Sequence, residues 1–260
     1  MSNKIIQISE DFWNIRGSFK IKGLLDVGTH VSLVRLSNGK YVFLDSYTLS
    51  DSARITVDEL TDGGEDIEAV INVHPFHTVH VAWMQEQYPN AKHYGTARHL
   101  SRFPELEWQD IRSEDAPLHE MYSDDLEFTV PRGVDFISED ENVHFSSVMV
   151  WHRASKTIHV DDTVNYIRFP SLLRMVGIND SMSFHPTLAK ALEKRAGAAG
   201  DFRQWAEEMT ERWRSTENLC AAHTTLLIEN KNQGPSIHER LVNALQKTAG
   251  TLDAHEDKYG

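Results

Sequence analysis

The chain has one cysteine, Cys220, in 260 residues, so no disulfide can form within it. Cys220 lies in Leu219-Cys220-Ala221-Ala222, which reads as a buried strand where a thiol is a small apolar group. No apolar run is long enough to span a bilayer. The first residues, Met1-Ser2-Asn3-Lys4-Ile5-Ile6-Gln7, lack the apolar stretch of a secretory signal. A cytoplasmic protein is therefore the expectation. Basic residues are outnumbered: 26 Lys and Arg stand against 39 Asp and Glu, for a net charge of −13. Such a surface repels phosphate, so neither nucleic acid nor an anionic membrane is an expected partner. A small-molecule substrate and a homo-oligomer both stay open. Low-complexity segments and internal repeats are absent too, which sets aside linkers and solenoids.

Histidine is what the chain has in excess, with 14 residues. Three of them fall in Asn72-Val73-His74-Pro75-Phe76-His77-Thr78-Val79-His80. This stretch follows an apolar run, Ala69-Val70-Ile71, and precedes a helix-like one, Val81-Ala82-Trp83-Met84. Imidazoles at a strand-to-helix turn suit a metal presented to solvent.

Around that stretch, Val31–Leu36, the turn Ser37-Asn38-Gly39-Lys40 and Tyr41–Leu44 read as a hairpin, because Asn-Gly is a strong two-residue turn signal. Ala69–Val73, a helix over Thr78–Tyr88 stopped by Pro89, and Lys92–Gly95 read as a β-α-β unit. The acidic stretch from Phe103 to Asp125 reads as loop, and Glu127–Val130 and Val134–Ile137 as strands. Phe145–Trp151 and Thr157–Val160 form a second expected hairpin. Helices are then predicted over Val164–Val176, broken at Pro170, over His185–Arg195 with Pro186 at its first position, and over Phe202–Trp213 capped by Asp201. A strand over Leu219–Ala222 ends at His223, and a last helix runs from Ser236 to Ala249. Strands lead and helices follow in each half. This predicts an α/β (α+β) fold, a four-layer αββα sandwich of two sheet-forming halves with helices outside. It is expected as one domain over residues 1–260, with a helical segment at about 164–214.

Four strand ends carry metal-capable side chains: His74 and His77, then His144, then Asp161 and Asp162, then His223. Zinc, iron and manganese all accept imidazole nitrogen and carboxylate oxygen. His80 reads as a surface residue one turn along the helix. Asp161 reads as solvated or capping. His93, His99, His152, His159 and His185 read as surface or packing residues.

These residues, in this order, resemble the metallo-β-lactamase-fold superfamily. That family carries an HxHxDH motif after a strand, a histidine before a later strand, an aspartate ending the next, and a final histidine. Here the first motif is Asn72-Val73-His74-Pro75-Phe76-His77. The turn Pro89-Asn90-Ala91-Lys92 supports the register. His144, preceded by Val143 where glycine is usual, matches the second position. Thr157-Ile158-His159-Val160-Asp161-Asp162 puts Asp162 at the bridging aspartate. His223 in Ala221-Ala222-His223-Thr224 matches the last histidine, and Gly39–Asp45 resembles the early hairpin. The likeness runs from about Gly28 to Glu229.

The resemblance implies metal ligands at His74, His77, His144, Asp162 and His223, with Asp162 and His144 as catalytic residues. The departures are Asn72 for the first histidine and Phe76 for the aspartate. They reduce the family's first metal site to His74 and His144, and its second to His77, Asp162 and His223. Three protein ligands with an open position are the minimum of a catalytic zinc site. One divalent ion, zinc ahead of iron or manganese, is therefore implied rather than two, and an apo form is compatible with the lost ligands. Two readings stay open. One is a mononuclear metal-dependent hydrolase of an ester, lactone, thioester or phosphoester. The other is an inactive binding or assembly module that keeps the fold without a full metal site.

Overall fold

The computed structural model describes residues 3–21, 25–26, 28–169, 180–223, 225–228, 231 and 234–260. The chain divides into two compact units, Met1–Phe128 with His152–Ser155, and Thr129–Trp151 with Lys156–Gly260.

The first unit begins with β1 (Lys4–Ser9), β2 (Phe12–Gly17), the short pair β3 (Lys20–Ile21) and β4 (Leu25–Asp26), β5 (Thr29–Arg35) and β6 (Tyr41–Leu44). Then come α1 (Asp51–Leu60), β7 (Ile67–Ile71), α2 (Val81–Gln87), β8 (Lys92–Tyr94), α3 (Ala97–Arg102), α4 (Ala116–Met121) and β9 (Leu126–Thr129), where a division falls. Six strands form one sheet in the order β1-β2-β5-β6-β7-β8. The hairpin predicted around Asn38-Gly39 is β5–β6, paired antiparallel, and Gly39 supplies the positive φ (85°) that its turn needs. The predicted β-α-β unit is β7, α2 and β8, with β7 and β8 parallel. Ile15, Val31, Leu33, Phe43, Val57, Val70 and Met84 form a core of this unit. The acidic stretch read as loop contains the short helix α4.

The second unit carries β10 (Met149–His152), β11 (Thr157–Val160), β12 (Val164–Ile167), β13 (Ser181–Phe184), β14 (Asn218–Ala221) and β15 (Leu226–Ile228). Its helices are α5 (Leu188–Ala191), α6 (Ala198–Arg212), α7 (Ile237–Lys247) and α8 (Ala249–Tyr259). Strands β15, β14, β11 and β10 lie in that order in one sheet, while β12 and β13 pair as a separate ribbon. Its core runs from Phe145, Val160 and Phe184 through Phe202, Trp205 and Trp213 to Leu241 and Leu252.

Several expectations change here. The stretch from Val164 opens as a strand, so the segment from 164 to 214 is not uniformly helical; residues 170–179 of the predicted helix lie outside the described residues. Val134–Ile137 makes only an isolated bridge, from Val134 to Leu192. The helix expected over His185–Arg195 shrinks to α5, one turn. Helix α6 starts earlier than predicted, after Gly197 at φ 78°, and Asp201 sits in its first turn rather than at the cap. Helix α7 starts where expected: Ser236 and Glu239 form a reciprocal capping box. Among the described residues, no helix is long and apolar enough to cross a membrane.

Candidate metal centre

In the second unit, β11 and β14 run parallel with Val160 opposite Ala221. The backbone N–H of Ala222 donates to Val160 O at 3.0 Å. Two residues beyond that rung on each strand stand Asp162 and His223. Equal offsets from a parallel rung deliver both side chains at one end of the sheet. His223 Nε2 lies 2.8 Å from Asp162 Oδ1. His144 Nδ1 lies 4.0 Å from the other oxygen, Asp162 Oδ2. The far nitrogen of His144, Nε2, donates to Glu141 O at 2.5 Å. That bond leaves Nδ1 with the lone pair. Asp162 is only 2% exposed.

Thr163 locks this group together. Its hydroxyl donates to Phe145 O (3.0 Å), accepts the Ser147 N–H (3.1 Å) and meets Ser147 Oγ at 3.0 Å. The segment carrying His144 is thus tied to the residue after Asp162. Asp161, expected to be solvated or capping, is instead fully buried.

His185 stands beside this group, its backbone N–H donating to Thr163 O at 3.2 Å, although its sequence context reads as surface or packing. Burial lowers its pKa; the charge of Asp162 opposes this, and His223 and His144 add to it. The signal that could have found it is the alternation Ser181-Met182-Ser183-Phe184, half-buried and buried in turn, which marks a strand ending at His185.

In the first unit, the chain leaving β7 carries Asn72, His74 and His77. Asn72 N–H donates to Tyr94 O (2.9 Å), continuing the β7–β8 ladder. Its side chain is spent as well: Oδ1 accepts from Ser46 Oγ at 2.6 Å and Nδ2 donates to Tyr94 O at 3.0 Å. His74 Nδ1 accepts the Phe76 N–H at 3.1 Å, and its ring stacks on His77 with centroids 4.1 Å apart. His77 Nδ1 lies 3.1 Å from Oδ2 of buried Asp45. An N–H directed at that carboxylate leaves His77 Nε2 as the ligating nitrogen. Phe76, at the motif's aspartate position, has the Arg98 guanidinium 4.5 Å over its ring. His80 bonds Thr48 Oγ1 through Nδ1 (2.8 Å), and burial pushes its pKa down to about 4, helped by His77.

The structure thus brings together His144, Asp162 and His223 within one unit, and His74 and His77 with Asp45 within the other. Both sets consist of imidazole nitrogen and carboxylate oxygen, donor types that a divalent ion accepts. Zinc bonds nitrogen and oxygen at about 2.0–2.2 Å, so neighbouring tetrahedral donors stand about 3.4 Å apart. In the second unit the two imidazole nitrogens lie 2.8 and 4.0 Å from different oxygens of Asp162, the shorter a hydrogen-bond distance.

No protein-family model matches this chain, and no curated protein is similar to it in sequence. Solved structures are similar in fold. A metallo-β-lactamase from Pontibacter korlensis is 11% identical with a TM-score of 0.58, over 94% of this chain and 99% of that one. A metallo-β-lactamase from Erythrobacter litoralis, with β-mercaptoethanol in its active site, is 10% identical with a TM-score of 0.61, over 95% and 97%. The metallo-β-lactamase FIM-1 from Pseudomonas aeruginosa, in a mono-zinc form, is 12% identical with a TM-score of 0.57, over 95% and 96%. The chain has the metallo-β-lactamase fold.

Proposed function

We propose that this protein is a mononuclear metal-dependent hydrolase, and that its ion is zinc held by Asp162 and His223 with His144. The observation that carries the reading is the Asp162 carboxylate with an imidazole nitrogen at each oxygen, 2.8 and 4.0 Å away. In the other unit, Asp45 holds the His77 ring through Nδ1. One similar fold, FIM-1, is described in a mono-zinc form, which is in keeping with a single ion.

A divalent ion there supplies Lewis acidity and a nucleophilic water at neutral pH. The chain's own residues do the rest. Asp162 neutralises charge and orients two imidazoles. His144 is anchored through Nε2 to Glu141 O, which would direct Nδ1 to the ion as a ligand. The substrate is a small ester, lactone, thioester or phosphoester. The fold hosts many reactions and does not choose among them.

The test is hydrolysis of one representative of each substrate class by the zinc-loaded full chain, with and without chelator. Chelator-sensitive turnover of at least one class, lost in Asp162→Asn, is expected. Absence of turnover in all four overturns the reading.

One observation favours the second reading, an inactive binding module. Asn72 is consumed by Ser46 and Tyr94, and Arg98 covers Phe76, so both changed motif positions are taken up by packing and hydrogen bonds. Phe76→Asp discriminates between the two. If the pocket keeps catalytic geometry, ester hydrolysis rises in this variant; if it does not, activity stays at background.

A further inference from the structure

His185 directly follows β13. The last rung of the β12–β13 ribbon pairs Val164 with Phe184, and one step on, His185 N–H donates to Thr163 O at 3.2 Å. This sets His185 beside the Asp162–Thr163 pair. Its ring is held from the other side: Nδ1 accepts the Thr187 N–H at 3.3 Å and lies 2.7 Å from Thr187 Oγ1. A backbone N–H can only donate, so Nδ1 is the unprotonated nitrogen and the hydroxyl turns its hydrogen to it as well. The single proton of the neutral ring then sits on Nε2. The chain uses the same device at His99. There Nδ1 accepts the Thr96 N–H (3.2 Å) with Thr96 Oγ1 at 2.9 Å, and Nε2 faces a carbonyl, His77 O, at 3.3 Å.

We propose that His185 is a fixed, uncharged N–H donor of the His144–Asp162–His223 group, that Nε2–H binds an oxygen of an oxyanionic ligand, and that His185 is not a metal ligand. This rests on the hydrolase reading for the identity of the ligand, a substrate or product carrying a carboxylate or phosphoryl oxygen. It adds a donor to what would otherwise be a site of ligands alone. A preorganised neutral imidazole can stabilise charge developing on a substrate oxygen without giving up its proton.

The test uses the full chain, with and without added zinc, and inorganic phosphate as the probe. Ring nitrogen resonances of labelled histidine report the tautomer. His185 is expected to show a protonated Nε2 in both forms, and that resonance shifts on adding phosphate. His185→Phe should bind phosphate about tenfold or more weakly, the worth of one hydrogen bond to a charged group. His185→Gln, whose amide N–H has similar reach, should restore most of it. Both variants should keep the metal content of the parent. A protonated Nδ1, a loss of metal in His185→Phe, or unchanged phosphate affinity in that variant overturns the proposal. If the parent protein takes up no ion at all, the hydrolase reading fails instead, and the tautomer and phosphate results still decide the role of His185.

Discussion

At the residue scale, Asp162 does the most with the least exposure. It stands between His223 and His144 and directly before Thr163, whose hydroxyl holds the His144 segment. Asp162→Ala removes the only carboxylate of that group. Zinc affinity should fall by about 100-fold or more, since even an indirect partner of a metal ligand commonly costs 10–100-fold; a zinc titration by calorimetry checks it. Thr163→Val is a subtler change of nearly equal volume. It leaves the Ser147 N–H without its acceptor in a buried place, for a cost of about 1–3 kcal/mol. Urea denaturation should show that loss, and Thr163→Ser should recover most of it. Much of this scale was legible in the sequence, because His144, Asp162 and His223 each stand at the end of an apolar run. Thr163 was not, since nothing in a sequence shows that one hydroxyl will meet Phe145 and Ser147 at once. His185 had a signal, the alternation before it, but Pro186 reads as a helix start and masks that strand.

At the element scale, helix α6 acts as a clamp. The Phe202 ring packs edge-on against Phe145 (5.7 Å) and Phe184 (5.2 Å), the neighbours of His144 and His185. Phe202→Ala should cost about 3–5 kcal/mol, as expected for a fully buried aromatic ring. Because it loosens both histidine-bearing segments, it should also weaken zinc binding, whereas Ser236→Ala should not. The latter breaks the α7 capping box and costs about 1 kcal/mol of stability alone. Chemical denaturation and zinc titration of the two variants separate these effects. The elements that sequence reasoning found are those with local punctuation: Asn38-Gly39 for β5–β6, Ser236 and Glu239 for α7. Those it misplaced depend on tertiary contacts. Val164–Ile167 has strand-favouring Val, Tyr and Ile but is too short to decide by itself, and its pairing with Ser181–Phe184 settles it as a strand.

At the scale of the whole molecule, the metallo-β-lactamase fold persists where two motif residues have changed, and the reason is physical. Asn72 satisfies its own buried polar atoms through Ser46 and Tyr94, so replacing histidine there leaves no unpaired group. Stability should depend on pH through buried imidazoles. Burial pushes the His152 pKa from 6.5 down to about 4, against the opposing charges of Asp11 and Asp125. Between those values the unfolded chain binds a proton that the native chain does not. Stability therefore falls as pH drops from 6.5 towards 4 and is insensitive to this group above 6.5. The slope is about 1.4 kcal/mol per pH unit. Urea midpoints across that window should show it, and His152→Phe should lower the slope by this group's share, with His80 and His99 contributing in the same sense.

The metal content of the full-length protein, prepared without chelator and then reconstituted with zinc, is the most direct measurement. The native chain should hold close to one ion, and Asp162→Ala and His223→Ala should hold almost none. A native chain that takes up no zinc, iron or manganese even after reconstitution, or an Asp162→Ala variant that binds as the native chain does, would contradict a metal centre built on His144, Asp162 and His223.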